Sequence, residues 1–356
     1  MMRQTCFIAA LIVFSFTYAQ KKAFKCVEVH DAIKLIDEGK YDEGIAILKE
    51  CEKKDPKDYT YPYEIALAHI RKEDYKIAIS QLEKIKGYSN IDDYYYALLG
   101  NAYDYADNPE QAIKTYDEGL KKFPSSGKLY LEKGVVFELQ NKMNQAIESY
   151  EKGIKTEPSY PSNYYRIAKL FLNSNNPLYG LVYGEIFLNL ERTTARSQEI
   201  SQLLFDGYKK AVKFTDKNTT VDLCQAFIII ENDSKPDDPL PFCLMYSGYF
   251  ALAAVDKKEI NLETLSDIRR KAIKEYFKYK NNPSNVLLNY QKIMEEKNVF
   301  NAYNHYLFQI GDKDAFKTWL TDNKAEYEKF VDWYTNDKNS LKINKKNLYI
   351  SDPLPK

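Results

Sequence analysis

Large apolar and aromatic residues recur along the first half of the chain at i, i+3, i+4 and i+7, interrupted by short polar turns. Tyr96, Leu99, Gly100 and Tyr103 mark one such face, Ala112 and Tyr116 mark a second, and Pro124 closes the pair. The pattern then returns in the same order as Tyr130, Gly134 and Phe137, then Ala146 and Tyr150, then Pro158. Spacing near 3.6 predicts helices buried along one side. A fixed period of this length, with small residues at two set places, predicts stacked pairs of antiparallel helices. The small residues let the two helices of a pair approach, and the proline ends each pair because the residue before it is pushed out of helix.

Five units register in this phase, over residues 25–58, 59–92, 93–126, 127–160 and 161–195. Gly44 takes a small place in the first, and Ala66 and Ala78 take both in the second. Gly87 there stands where a left-handed helix cap is expected. The fifth keeps Tyr164, Ile167, Ala168 and Phe171, and places Gly180, Gly184 and Phe187 on its second helix, but lacks the closing proline. The arrangement resembles the tetratricopeptide repeat. That resemblance implies an all-α fold, a right-handed superhelical solenoid of helix–turn–helix units, and a binding architecture rather than a chemistry. It further implies that first helices line a concave groove for a protein or peptide partner.

In this register the side chains expected in the groove are Tyr63, Leu67, Arg71, Tyr94, Asn101, Tyr105, Lys128, Leu131, Tyr165, Arg166 and Lys169. Tyrosine offers a large rigid surface and a hydroxyl at small entropic cost, which suits peptide or glycan contact. Tyr63, Tyr94 and Tyr165 equally suit filling space between neighbouring first helices. Chaperone-binding members of the family hold a terminal carboxylate with Lys, Arg and Asn on three successive first helices. Here that pattern finds Asn101 and Arg166 but meets Ala97, Glu132 and Ser162, so carboxylate capture is not expected.

From Ser197 the repeat phase is lost while helical patterning continues to about 336, as a helical C-terminal region over 196–336. Ile200, Leu203, Leu204, Tyr208 and Ala211 predict a helix that covers the last repeat. A helix is expected from Val221 to Ile230, a loop over 233–239, and a buried apolar helix from Phe242 to Val255. Gly311 reads as a left-handed cap before Asp312, which can cap the next helix. Trp319 and Trp333 read as packing anchors. Residues 337–356 read as an extended, partly mobile tail.

Residues 1–19 read as an export signal rather than part of the fold. Arg3 precedes an apolar run from Cys6 to Phe16, and Thr17-Tyr18-Ala19 supplies the small residues a signal peptidase reads. The run is short of the roughly 20 residues that span a bilayer, and no other stretch is long and apolar enough. The expected location is therefore the periplasm or the exterior. In that setting Cys26 and Cys51 face each other across the first helix pair as a possible disulfide, whereas Cys224 and Cys243 read as two buried thiols.

Lys plus Arg (51) equal Asp plus Glu (51), which removes any global attraction to nucleic acid. Three histidines, His30, His69 and His305, and no close cysteine pair give no metal site. His69 is open to three roles, as a packed core residue, a groove residue or a ligand. No glycine-rich phosphate loop and no nucleophile motif is present, so no cofactor and no catalytic residue are expected. The leading expectation is a non-enzymatic interaction scaffold of the cell envelope. A carbohydrate-binding protein on a similar scaffold is the alternative, and a hydrolase with its site in the C-terminal half the third.

Overall fold

The computed structural model describes residues 24–225 and 240–352. Among these, seventeen α-helices and one small hairpin form an all-α helical-repeat fold. Two compact units divide the chain, one ending at Thr115 and the other beginning at Tyr116. The division falls inside what the sequence reads as one run of repeats.

The first unit contains α1 (Val29–Asp37), α2 (Tyr41–Lys54), α3 (Thr60–Arg71), α4 (Tyr75–Ile85), α5 (Asp93–Tyr105) and the start of α6 (Pro109–Lys122). Consecutive helices pack in antiparallel pairs, with Val29, Ala32, Ile36, Leu48, Tyr61 and Ile65 buried between them. A bridge joins Cys26 to Cys51, with Cα atoms 5.3 Å apart. Asp92 caps α5 by accepting from the backbone N–H groups of Tyr94 and Tyr95. His69 is buried, with Nδ1 3.3 Å from the Asp74 carboxylate, as a core histidine.

The turns between paired helices carry the repeat in their backbone. Gly39, Glu73, Asp107 and Asn141 all have φ between 59° and 79°, each standing one full repeat after the one before. Each follows a first helix and donates its N–H to the carbonyl three residues back, which ends the helix with a left-handed residue. Glycine takes this conformation freely, whereas an ordinary L-residue is strained there by about 1–2 kcal/mol. Glu73→Gly is therefore expected to raise unfolding free energy by about 0.5–1 kcal/mol in urea titrations. A fall in stability would show that position 73 is not strained. Gly87 and Gly311, expected as left-handed caps, are not: Gly39 is the one glycine with positive φ among the described residues. Gly311 serves close packing instead, since a Cβ there would fall within 3 Å of the Phe205 side chain.

The second unit continues with α7 (Gly127–Leu139), α8 (Met143–Thr156), α9 (Pro161–Leu172), α10 (Pro177–Leu190) and α11 (Ala195–Ala211). Gly134 shows why the small places matter, because a Cβ there would collide with the ring of Tyr150. The repeat phase does not stop at Ser197. Helix α11 begins one repeat after α9, and Ser162–Arg196 and Tyr165–Glu199 are side-chain pairs across that interval. Its partner is not a second helix but a hairpin, β1 (Val212–Phe214) and β2 (Thr219–Val221), paired Val212 to Val221. The helix expected from Val221 thus starts as a strand, and the rest of it, with the 233–239 loop, lies outside the described residues.

Beyond come α12 (Phe242–Ala254), α13 (Leu262–Tyr276), α14 (Val286–Glu296), α15 (Phe300–Phe308), α16 (Lys313–Asp322) and α17 (Lys324–Tyr334). Asp312 caps α16 by accepting from Ala315 N–H at 3.0 Å. Trp319 lies flat on His305, with ring centroids 4.0 Å apart, and Trp333 packs on Tyr290. Cys224 and Cys243 are bridged rather than free, with Cα atoms 5.8 Å apart.

The tail corrects a second expectation. Residues 337–339 form a 3-10 turn, Leu341 and Tyr349 are buried, and the chain end is fastened at several points. Tyr349 packs between the rings of Tyr183 and Phe242. Asp352 accepts from the N–H groups of Phe242 and Cys243 at the start of α12, and from the Tyr179 hydroxyl at 3.1 Å.

Candidate functional site

Within the second unit, three helices in repeat phase, α7, α9 and α11, present a joined polar and aromatic surface. Tyr165 and Lys169 lie one helical turn apart on α9, which brings the ammonium 3.2 Å from the phenol and 5.0 Å from the ring centroid. Glu199 of α11 accepts from both, at 2.6 Å from Lys169. Arg196, also on α11, lies over the Tyr165 ring, 5.1 Å from its centroid, and donates to Ser162 at 3.0 Å. Its guanidinium is held by Glu191. Arg166 points to α7, where it pairs with Glu138 at 3.0 Å, and Glu138 also accepts from the Tyr150 hydroxyl at 2.8 Å.

The electrostatics follow from this pairing. Burial raises the Tyr165 phenol above its ordinary value, and the hydrogen bond to Glu199 adds to the rise. Burial works against the Lys169 charge, but Glu199 and Tyr165 outweigh it and hold the ammonium protonated. Arg166, Lys169 and Arg196 each have a carboxylate partner, so their charges are matched locally. This face is aromatic and rich in donors and acceptors. Lys128 and Leu131 of α7 are partly buried, and Leu131 packs on the apolar cluster beneath.

In the first unit the expected residues are more dispersed. Arg71 pairs with Asp37 at 2.7 Å, again one repeat away. Tyr63 packs edge-on against Tyr59, and Tyr105 packs against Tyr75. Tyr63, Leu67 and Tyr94 are partly buried. Asn101 is only 8 % exposed, which removes it from any open face. Glu64, beside these on α3, has its carboxyl pushed up to about 7 by burial, against the pull of Arg71.

A family model for the tetratricopeptide repeat matches residues 98–163. Those residues carry tetratricopeptide repeats. No curated protein matches the chain. Among solved structures, the chain is similar to a tetratricopeptide protein of Thermus thermophilus, TTC0263, at 18% identity and TM-score 0.42, over 49% of this chain and 96% of that one. It is also similar to MamA from Desulfovibrio magneticus RS-1, at 14% identity and TM-score 0.37, over 47% and 94%. PilW, a type IV pilus biogenesis factor, shares 14% identity and TM-score 0.42, over 51% and 84%.

The tetratricopeptide register explains which residues sequence reading overlooked. Glu138, Arg196 and Glu199 complete the surface, yet none is among the expected groove residues. The signal was present, because Arg196 and Glu199 stand one repeat after Ser162 and Tyr165. It was hidden by Gln202, which occupies the small-residue place of the next repeat.

A second concentration of polar groups is fully buried where α10, the second helix of the fifth repeat, meets α13, α14 and α15. Glu185 pairs with Arg269 and accepts from Gln291 at 2.7 Å and Tyr303 at 2.9 Å. Arg269 also donates to Asn304 and faces the rings of Phe300 and Phe308. Burial opposes the guanidinium charge, but Glu185 holds it protonated. Enclosed on every side by core aromatics, this network orients helices and offers no surface to a substrate.

Proposed function

We propose that this protein is a non-enzymatic interaction scaffold of the cell envelope, holding an extended segment or helix of a partner protein on its first-helix face. The observation that carries the reading is the Tyr165, Arg166, Lys169 and Glu199 arrangement on α9 and α11. Its side chains are fixed by mutual contacts before any partner arrives, so little ordering entropy is lost on binding. Its charges are already neutralised, so contact relies on aromatic area and hydrogen bonds rather than on long-range attraction. Two disulfides support an oxidising compartment, in keeping with the leader expected over residues 1–19.

The test is titration of a peptide, selected from a displayed library on the full chain without its leader, against Tyr165→Ala/Arg166→Ala. The double variant is expected to weaken binding by about tenfold or more, as for loss of a central anchor. Raising salt should change the affinity only slightly. Undiminished binding by the variant, or a steep salt dependence, would contradict the proposal.

A further inference from the structure

Among the described residues, the Glu64 carboxylate makes no hydrogen bond and no ion pair, although it is only partly exposed. Other carboxylates that are partly shielded have cations: Glu138 pairs with Arg166, Glu191 with Arg196 and Asp267 with Lys257. A carboxylate drawn out of water without such a partner is costly, and burial pushes the Glu64 carboxyl up to about 7. Glu64 stands on α3 with the expected groove residues Tyr63, Leu67 and Arg71, at the place in its unit that Arg166 holds in the fifth. The position is the same, but the charge is reversed and left unmatched.

The neighbours decide what would match it. Asp37 of α1 repels the carboxylate, and Arg71, the one cation that acts on it, is already committed to Asp37 at 2.7 Å. From α2, α4 and α5, the other helices packed on α3, no charged group acts on it. The adjacent Tyr63 phenol feels both Glu64 and Asp92, the cap of α5. The Tyr63 hydroxyl also makes no hydrogen bond among the described residues. Three carboxylates therefore stand against one guanidinium, with two oxygen acceptors open.

We infer that the Glu64 carboxylate and the Tyr63 hydroxyl bind the lysine or arginine side chain of a partner segment. The inference rests on the reading of the first-helix face above and adds what the segment must carry to the first unit. An ammonium or guanidinium donates to both oxygens at once, and the charge-assisted bond to Glu64 supplies the counter-ion that the fold lacks. A lysine stem or a guanidinium also packs on the Tyr63 ring. An acidic residue there would meet Asp37, Glu64 and Asp92 together. A divalent metal ion would need more open ligands than one carboxylate and one phenol.

The test uses peptides with blocked termini and no histidine, selected from a displayed library at pH 8 on the full chain without its leader. The selected peptides are expected to share one lysine or arginine. Its replacement by norleucine, which leaves the protein untouched, should weaken binding to the wild type by about tenfold or more, and to Glu64→Gln by less than about twofold. Wild-type affinity should rise about tenfold from pH 6 to pH 8 as Glu64 ionises, and Glu64→Gln should lose that rise. A harmless norleucine, or a pH dependence that survives in Glu64→Gln, overturns the inference. If Tyr165→Ala/Arg166→Ala still weakens binding in that case, the reading of the first-helix face stands without it. Failure to select any peptide contradicts both.

Discussion

Arg269→Leu is expected to lower the unfolding free energy by about 3–5 kcal/mol, among the largest effects of any single substitution in this chain. The reason is what it leaves behind. Glu185 is 3% exposed, and without the guanidinium its carboxylate keeps only the Gln291 amide and the Tyr303 hydroxyl as donors. Those two hydrogen bonds do not offset the desolvation of a buried charge. The same reasoning sets the behaviour of a double variant. Glu185→Leu/Arg269→Leu removes both charges and leaves apolar groups among aromatics, so it is expected to recover at least half of the loss. Urea titrations of the two single variants and the double variant measure this coupling. If Arg269→Leu costs less than about 1 kcal/mol, the network is not a paired charge in a dry core.

Loss of the tail is expected to have a comparable effect. Tyr349→Ala should cost about 3–5 kcal/mol, because it empties a space lined by Tyr183 and Phe242. Truncation after Asn339 should cost more. It removes Leu341 and Tyr349 from the core, frees the first N–H groups of α12 from Asp352, and deprives Glu151 of Ser351. Asp352→Ala isolates the capping part and is expected to cost about 1–2 kcal/mol. Thermal unfolding followed by circular dichroism checks the order: truncation, then Tyr349→Ala, then Asp352→Ala. Equal stability of the truncated and full chains would return the tail to the mobile segment that its composition suggests.

The helix pairs were legible because their core depends on residues with fixed spacing and extreme size. Gly134 and Tyr150 announce a close crossing before any coordinates do. The strained left-handed turns at Glu73, Asp107 and Asn141 were less visible, since polar residues in a turn look alike to composition. The tail escaped for a related reason. Leu341 and Tyr349 are too far apart, in too many lysines and asparagines, to form a period. The Cys224–Cys243 bridge depends on where β2 and α12 begin, and spacing along the chain does not specify that.

The first-helix face was half legible. Tyr165, Arg166 and Lys169 followed from the register, whereas Glu138, Arg196 and Glu199 required knowing that α11 remains in phase. Charged residues read from sequence are assigned to solvent by default, which also concealed Glu185 and Arg269 in the core. In both places the structure shows carboxylates and cations satisfied by one another. Under the proposed function, that leaves aromatic surface and fixed hydrogen-bonding geometry as the means of recognising a partner.

Photo-crosslinking in intact cells tests that claim most directly. A photoreactive residue placed at Lys128 or Leu131, on the first-helix face of α7, is compared with one at Lys155, exposed on the second helix α8. The account predicts a discrete crosslinked partner from positions 128 and 131 and none from 155. Crosslinks from 155 alone, or the same products from all three positions, would contradict it.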